Sequence, residues 1–185
     1  MEKKYTLVVF TEDKVGLLNR ITIVFTRRHI NIDSLTTSES EIHGIFRYTI
    51  VAKATPEMMK KVVDQIEKLT EVLRAFYYEA QDVVTQELAL YKISTANITP
   101  MESLIRESSV RILDIEKEFI IIEKTGSRQE VLTLFEQLKP YGILQFACSG
   151  QVAVTKPMKE LETYLKELNQ AVEASNKIRS WKLKN

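Results

Sequence analysis

The chain lacks the residues that a disulfide framework, a membrane span or a strongly charged surface requires. Its single cysteine, Cys148, excludes an internal disulfide and fits a reducing compartment. No run approaches the roughly 20 apolar residues of a membrane-spanning helix, and the N-terminal apolar run is too short for a signal peptide. The 26 basic and 25 acidic residues nearly cancel, so no overall field attracts nucleic acid. We therefore expect a cytoplasmic protein without membrane or nucleic-acid partners.

Residues for catalysis or metal binding are equally scarce. His29 and His43 are the only histidines, and neither has cysteine or acid at metal-ligand spacing. No histidine follows Cys148, which favours a small buried residue over a nucleophile. Walker, GxGxxG and GxSxG motifs are absent from the sequence. The residues predict no catalytic site, no metal site and no cofactor site in this chain.

The 185 residues, 44% apolar and 28% charged, suit one or two globular domains. Residues 1–79 show apolar runs of strand length and two amphipathic helical patterns. The strands are predicted at Tyr5–Phe10, Asn31–Thr37, Ile45–Lys53 and Val72–Tyr78, and the helices at Leu17–Arg28 and from Thr55-Pro56-Glu57 onward.

The same order of elements repeats over residues 85–155. The predicted strands are Glu87–Ile93, Arg111–Glu116, Phe119–Lys124 and Ile143–Val154, and the predicted helices are Thr99–Ser108 and Arg128–Leu138. Each segment has the order βαββαβ. We therefore predict an α+β fold of two tandem ferredoxin-like units with antiparallel sheets.

A C-terminal helix and a basic tail are predicted over residues 156–185. Apolar residues recur there at spacings of three and four: Met158, Leu161, Leu165, Leu168 and Val172. About two heptads are too few to argue for a coiled coil. The helix either packs on its own domain or binds a partner.

The segment that follows the first predicted strand has the features of a small-molecule site. A turn leads to Gly16 at the start of a helix, where free N–H groups suit a carboxylate. Asp13 and the Asn31 side chain can accept from an ammonium group. We expect six residues to lie together around an amino acid: Asp13, Gly16, Leu17, Leu18, Asn31 and Ile32. An ordinary glycine turn with a locally bonded asparagine is the alternative.

Seven short motifs give the chain a resemblance to a known family. They are Gly16–Arg20, Asn31–Leu35, Lys68–Leu73, Glu87–Ile93, Arg111–Asp114, Leu138–Ile143 and Ser149–Ala153. Residues 5–78 resemble an ACT domain, an amino-acid-sensing βαββαβ module. Residues 4–155 as a whole resemble the small regulatory subunit of acetolactate synthase (acetohydroxyacid synthase).

The resemblance implies a non-catalytic subunit in branched-chain amino acid biosynthesis. Such a subunit binds and activates the acetolactate synthase catalytic subunit, and it confers feedback inhibition by valine. Thiamine diphosphate, Mg and FAD are then expected only in the catalytic partner. The resemblance also implies a homodimer through the ACT domain, residues 1–79, with the effector site where two such domains meet. By position, the six residues named above contact the ligand.

Two other functions remain open at this point. One is a free-standing ACT-type sensor that regulates another enzyme or a transcription factor, although no DNA-binding helix pair is present. The other is an enzyme on a ferredoxin-like scaffold, for which the sequence offers no catalytic constellation.

Overall fold

Apolar residues of the first 80 positions form one face of a four-stranded antiparallel sheet in the computed structural model. The structure describes residues 1–156 and, beyond them, residues 166, 169 and 170; side chains at 97–100 and 102 are not described. The elements of the first unit are β1 (Lys3–Glu12), α1 (Leu17–Thr26), β2 (Ile32–Glu39), β3 (Ile45–Ala54), α2 (Pro56–Ile66) and β4 (Val72–Glu79).

The strand order of this sheet is β2-β3-β1-β4, with β2 and β4 at the edges. Every pairing is antiparallel, and β1 and β3 pair along their full length, from Lys3 opposite Ala54 to Glu12 opposite Ile45. Alternate residues of the strands face the two helices, because side-chain direction alternates along a strand. The core they form includes Tyr5, Leu7, Val9, Ile21, Phe25, Ile50, Met59 and Ile66.

The start of α2 follows the predicted capping pattern. Thr55 is extended, and its hydroxyl accepts a hydrogen bond from the Met58 N–H at 3.3 Å. Pro56 occupies the first turn, where its missing N–H costs nothing. The cap fixes where the chain turns from β3 into the helix.

The second unit repeats this plan. Its elements are β5 (Val83–Ser94), α3 (Ile98–Glu107), β6 (Arg111–Ile115), β7 (Phe119–Gly126), α4 (Arg128–Leu138) and β8 (Ile143–Cys148), followed by β9 (Val152–Thr155). The sheet order is β6-β7-β5-β8, and β9 also pairs with β5. Strands β5 to β8 correspond in order to β1 to β4. The predicted tandem ferredoxin-like α+β fold is confirmed.

Two predicted boundaries in the second unit are wrong. The helix expected from Thr99 begins at Ile98, after a 3₁₀ turn at Thr95–Asn97. Pro100 is tolerated inside the first turn because the N–H groups there have no helical partner. The strand expected over Ile143–Val154 is two strands, β8 and β9.

A serine side chain marks the break between β8 and β9. The Ser149 hydroxyl accepts from the Leu88 N–H at 2.9 Å and donates to the Gly150 carbonyl at 2.9 Å. The bond to Gly150 is local, and such side-chain bonds compete with the strand ladder.

The described residues divide into two compact units: Met1–Val84 with the described residues from Ala153 onward, and Thr85–Val152. The predicted C-terminal helix at Met158–Val172 and the basic tail lie outside the described residues. Within the described part of the chain, no helix has the length and apolar character needed to cross a bilayer.

Candidate functional site

The N-terminus of α1 is open to a ligand. Gly16 caps the helix with φ +84°, a left-handed conformation that favours glycine, and makes no side-chain capping bond. A Cβ at Gly16 would meet no atom within 4 Å. The Leu17 N–H bonds the Lys14 carbonyl at 3.2 Å, whereas no hydrogen bond is found for the Leu18 and Asn19 N–H groups within the described residues. These two donors are available to an anion.

The side chains around this helix end differ in their exposure to solvent. Asp13 is exposed, and Leu18 is 37% exposed. The Leu17 side chain is 1% exposed and belongs to the core of the first unit. Leu17 therefore offers only its backbone to a ligand.

Asn31 and Ile32 lie at the other end of the sheet. Ile32 pairs with Ala52, which pairs with Tyr5 near the start of β1, whereas Gly16 follows the end of β1. At about 3.3 Å per residue, the seven steps from Tyr5 to Glu12 span roughly 20 Å. The expected adjacency of all six residues within one chain is wrong, because the crossover through α1 returns the chain to the start of the sheet.

A cavity of about 340 Å³ lies at the Asn31 end of the first unit. Its lining residues are Glu2, Arg28, His29, Ile30, Asn31, Asp33, Lys53, Ala54, Thr55 and Met58. Cationic and anionic groups are both present, together with an amide and apolar surface. Such a mixture can pair the two charges of an amino acid zwitterion.

Arg28 is held in place at this cavity. Its Nη1 donates to the Val24 carbonyl at 2.9 Å, and its Nη2 donates to the side chain of Gln65. Sequence reasoning missed both Arg28 and Lys53 as lining residues. The available signal in the sequence was Lys53 itself, a charged residue directly after the apolar run Ile50–Ala52.

Near the Gly16 end, Arg20 of α1 pairs with Glu71, whose Oε1 lies 2.6 Å from Nη1 of Arg20. The pKa of Glu71 is lowered, first by a hydrogen bond from its own backbone N–H and then by Arg20. The Glu71 carbonyl also accepts from the Glu12 N–H at 2.9 Å. These bonds fix the end of β1 beside the turn that leads to Gly16.

The second unit contains a separate polar cluster, formed by Glu87, Arg128 and Cys148. The Glu87 side chain is 3% exposed, and its Oε2 lies 3.1 Å from Nη1 of Arg128. The Cys148 thiol donates to the same oxygen at 3.2 Å. Burial, and secondarily the Glu87 carboxylate, raise the pKa of Cys148. A protonated thiol is a poor nucleophile, so the raised pKa of Cys148 argues against a nucleophilic role for this thiol.

Among residues 1–156 and the three described beyond them, no group of three or more histidine, cysteine, aspartate or glutamate side chains is arranged to hold a metal ion.

The fold defines a class, the tandem ferredoxin-like α+β proteins. Residues 7–74 match a family model described as the AHAS small subunit-like ACT domain. Residues 86–157 match the model of the small subunit of acetolactate synthase.

Similar proteins extend this match over most of the chain. The acetolactate synthase small subunit of Bacillus subtilis is 34% identical over 159 residues, 84% of this chain and 91% of that protein. The protein of the same name from Mycolicibacterium smegmatis is 34% identical over 155 residues, 82% and 91% of the two chains. The crystal structure of the Thermotoga maritima small subunit superposes with a TM-score of 0.78 at 26% identity, covering 84% of this chain and 98% of that one. The chain belongs to the acetolactate synthase small-subunit family.

Proposed function

We propose that this chain is the non-catalytic regulatory subunit of an acetolactate synthase. It binds the catalytic subunit, raises its activity and confers feedback inhibition by valine, in the cytoplasm. Thiamine diphosphate, Mg and FAD belong to the catalytic partner in this proposal. The observation that carries it is the match of both units to the small-subunit family, over nearly the whole length of its relatives.

The effector site in this proposal is shared between two copies of the chain. β2 is an edge strand, and two such edges can pair antiparallel about a two-fold axis. In that pairing, the strands of one sheet run in the opposite direction to the corresponding strands of the other sheet. The α1 N-terminus of one copy then lies near the start of β2 in its partner, so Gly16 meets Asn31 of the partner subunit.

The carboxylate, the ammonium group and the side chain of the amino acid each contact different residues of this site. The free N–H groups of Leu18 and Asn19 take the carboxylate, since a helix N-terminus favours an anion. Asp13 accepts from the ammonium group, and Asn31 of the partner subunit provides a second acceptor. The exposed part of Leu18 contacts the aliphatic side chain of the amino acid.

Regulation follows from differential binding to two arrangements of the subunits. A ligand that bridges two copies stabilises the arrangement in which both halves of the site meet. The activity of a catalytic subunit bound to that arrangement changes as a result. A coupling free energy of about 1–3 kcal/mol changes activity about 5–150-fold.

The test combines this chain with its catalytic partner, with and without valine. We expect copurification, a higher rate than the catalytic subunit alone, and a lower rate when valine is added. An unchanged rate in both mixtures would contradict the proposal. Valine binding by the isolated chain without any effect on the synthase would instead indicate a sensor for a different target.

A further inference from the structure

Strand β6 is an exposed apolar edge in the second unit. It lies at the end of the strand order β6-β7-β5-β8, and all five of its residues are exposed. Ile112 and Leu113 are each 46% exposed and Ile115 is 62% exposed. Proteins normally shield such an edge, because its free backbone groups and apolar side chains invite another strand. The counterpart edge, β2, is mostly polar by comparison (IDSLTTSE).

A bulge in β6 places two opposite charges on the same face of the sheet. Ile112 pairs with Ile122 of β7, but Asp114 pairs with Ile121, so the register shifts by one residue. Arg111 pairs with Glu123, two positions from Ile121 and therefore on the same face. In a regular strand, residues three apart point to opposite faces. The bulge thus brings Arg111 and Asp114 onto one face of the edge.

The sequence around the bulge is complementary to itself in the antiparallel direction. Consider a two-fold axis midway between Ile112 and Leu113. Arg111 then lies opposite Asp114 of the partner subunit, and Ile112 lies opposite the partner's Leu113. Val110 lies opposite the partner's Ile115. Apolar residues meet apolar residues and each charge meets its opposite, the arrangement that stabilises cross-strand pairs.

We propose that a second copy of this chain docks antiparallel along β6, joining the sheets of two second units. Charge complementarity favours a second copy, because the reversed sequence of β6 places an opposite charge against both Arg111 and Asp114. The guanidinium of Arg111, 72% exposed while it pairs with Glu123, has donors left for the partner. This interface uses none of the residues of the proposed effector site.

Charge reversal in two separately prepared full-length chains tests the pairing. One chain carries Arg111→Asp and the other Asp114→Arg, so each homodimer opposes like charges across β6. In the mixed dimer, both acidic positions of one chain face both basic positions of the other. Native mass spectrometry of the mixture should show heterodimers enriched about tenfold over random mixing, a difference that two or more restored ion pairs can supply.

A matched pair on α2 controls for general charge effects. Glu57→Lys and Lys60→Glu change exposed residues of the first unit, and their mixture should give the random ratio. A random ratio from the β6 variants, in a preparation that is dimeric, would overturn the proposal.

Hydrogen exchange reports on the β2 and β6 edges separately and uses the unmodified chain. Amides of residues 111–115 should gain protection as the protein concentration rises through the dimerisation range. Fast exchange there in the dimer would overturn the β6 proposal, even with residues 32–39 protected. Protection of 111–115 that arises only after the catalytic subunit is added would overturn it too and would identify that subunit as the occupant.

Discussion

Gly16 and Asn31 lie at opposite ends of α1, with Gly16 before its first residue and Asn31 before β2. In one chain they cannot contact the same amino acid, because the sheet places them roughly 20 Å apart. A site that uses both residues therefore needs two copies of the chain, so the proposed regulation depends on the dimer.

Substitution of Gly16 by asparagine should abolish valine binding without unfolding the protein. Asparagine tolerates positive φ better than other non-glycine residues, and its Cβ would enter open space at Gly16. Its side chain would occupy the approach to the free N–H groups. Isothermal titration with valine measures the loss, expected to exceed tenfold in affinity.

Gly44→Asn is the control for this change. Gly44 also has positive φ, +80°, and open space around its Cβ position, but it lies in the β2–β3 turn. We expect a similar small loss of stability and unchanged valine affinity. Equal loss of affinity in both variants would show that the effect comes from backbone strain.

The Arg20–Glu71 pair should contribute to stability only above the acid range. The pKa of Glu71 is lowered in the folded chain from an ordinary 4.5, so the stabilisation is fully present above 4.5 and disappears as the pH falls through the lower folded value. Glu71→Gln should cost about 0.5–1 kcal/mol at pH 7, the range of a partly exposed pair. Urea unfolding from pH 7 to pH 3 should show the difference between the two proteins shrinking. A difference independent of pH would contradict this account.

The N-terminus of α4 should be sensitive to loss of its cap. The Ser127 hydroxyl accepts from the Glu130 N–H at 3.3 Å, and Glu130 accepts in return from the Ser127 N–H at 2.7 Å. Ser127→Ala should lower the free energy of unfolding by about 1 kcal/mol, measured by urea titration. Ser127→Thr keeps the hydroxyl and should recover most of the loss; equal losses would exclude the cap as the cause.

Cys148 should react slowly with iodoacetamide at pH 8, because burial and Glu87 raise its pKa. Glu87→Gln removes the carboxylate and should speed alkylation several-fold. Arg128→Met removes the neighbouring charge that favours the thiolate, so this variant should be alkylated more slowly than the unmodified chain. Mass spectrometry over time measures both rates, with thermal unfolding as the control for folding. Faster alkylation in Arg128→Met at unchanged stability would contradict the assigned electrostatics.

Local patterns in the sequence predict much of the fold. The cap at Thr55 and Pro56 is visible because capping needs only neighbouring residues. The repeated βαββαβ order is visible because the apolar period changes between strands and helices. The break at Ser149–Gln151 is not visible, since it depends on a bond to Leu88, a residue 61 positions away.

The candidate site was predicted less completely than the fold. The open helix end at Gly16 follows from a local glycine signal. The distance to Asn31 follows from the crossover through α1, which returns the chain to the start of the sheet; the local pattern around Gly16 does not show it. Lys53 and Arg28 were missed for the same reason, because they come together with Asn31 only when β3 and the end of α1 meet at one end of the sheet.

Subunit complementation tests the shared effector site most directly. Gly16→Asn and Asn31→Ala chains should each fail to bind valine alone. After the two are mixed and allowed to exchange subunits, binding should return to about one quarter of the wild-type stoichiometry, because about half of the dimers are mixed and each holds one intact site. No recovery on mixing, with mixed dimers demonstrated by mass spectrometry, would contradict a site built from two copies.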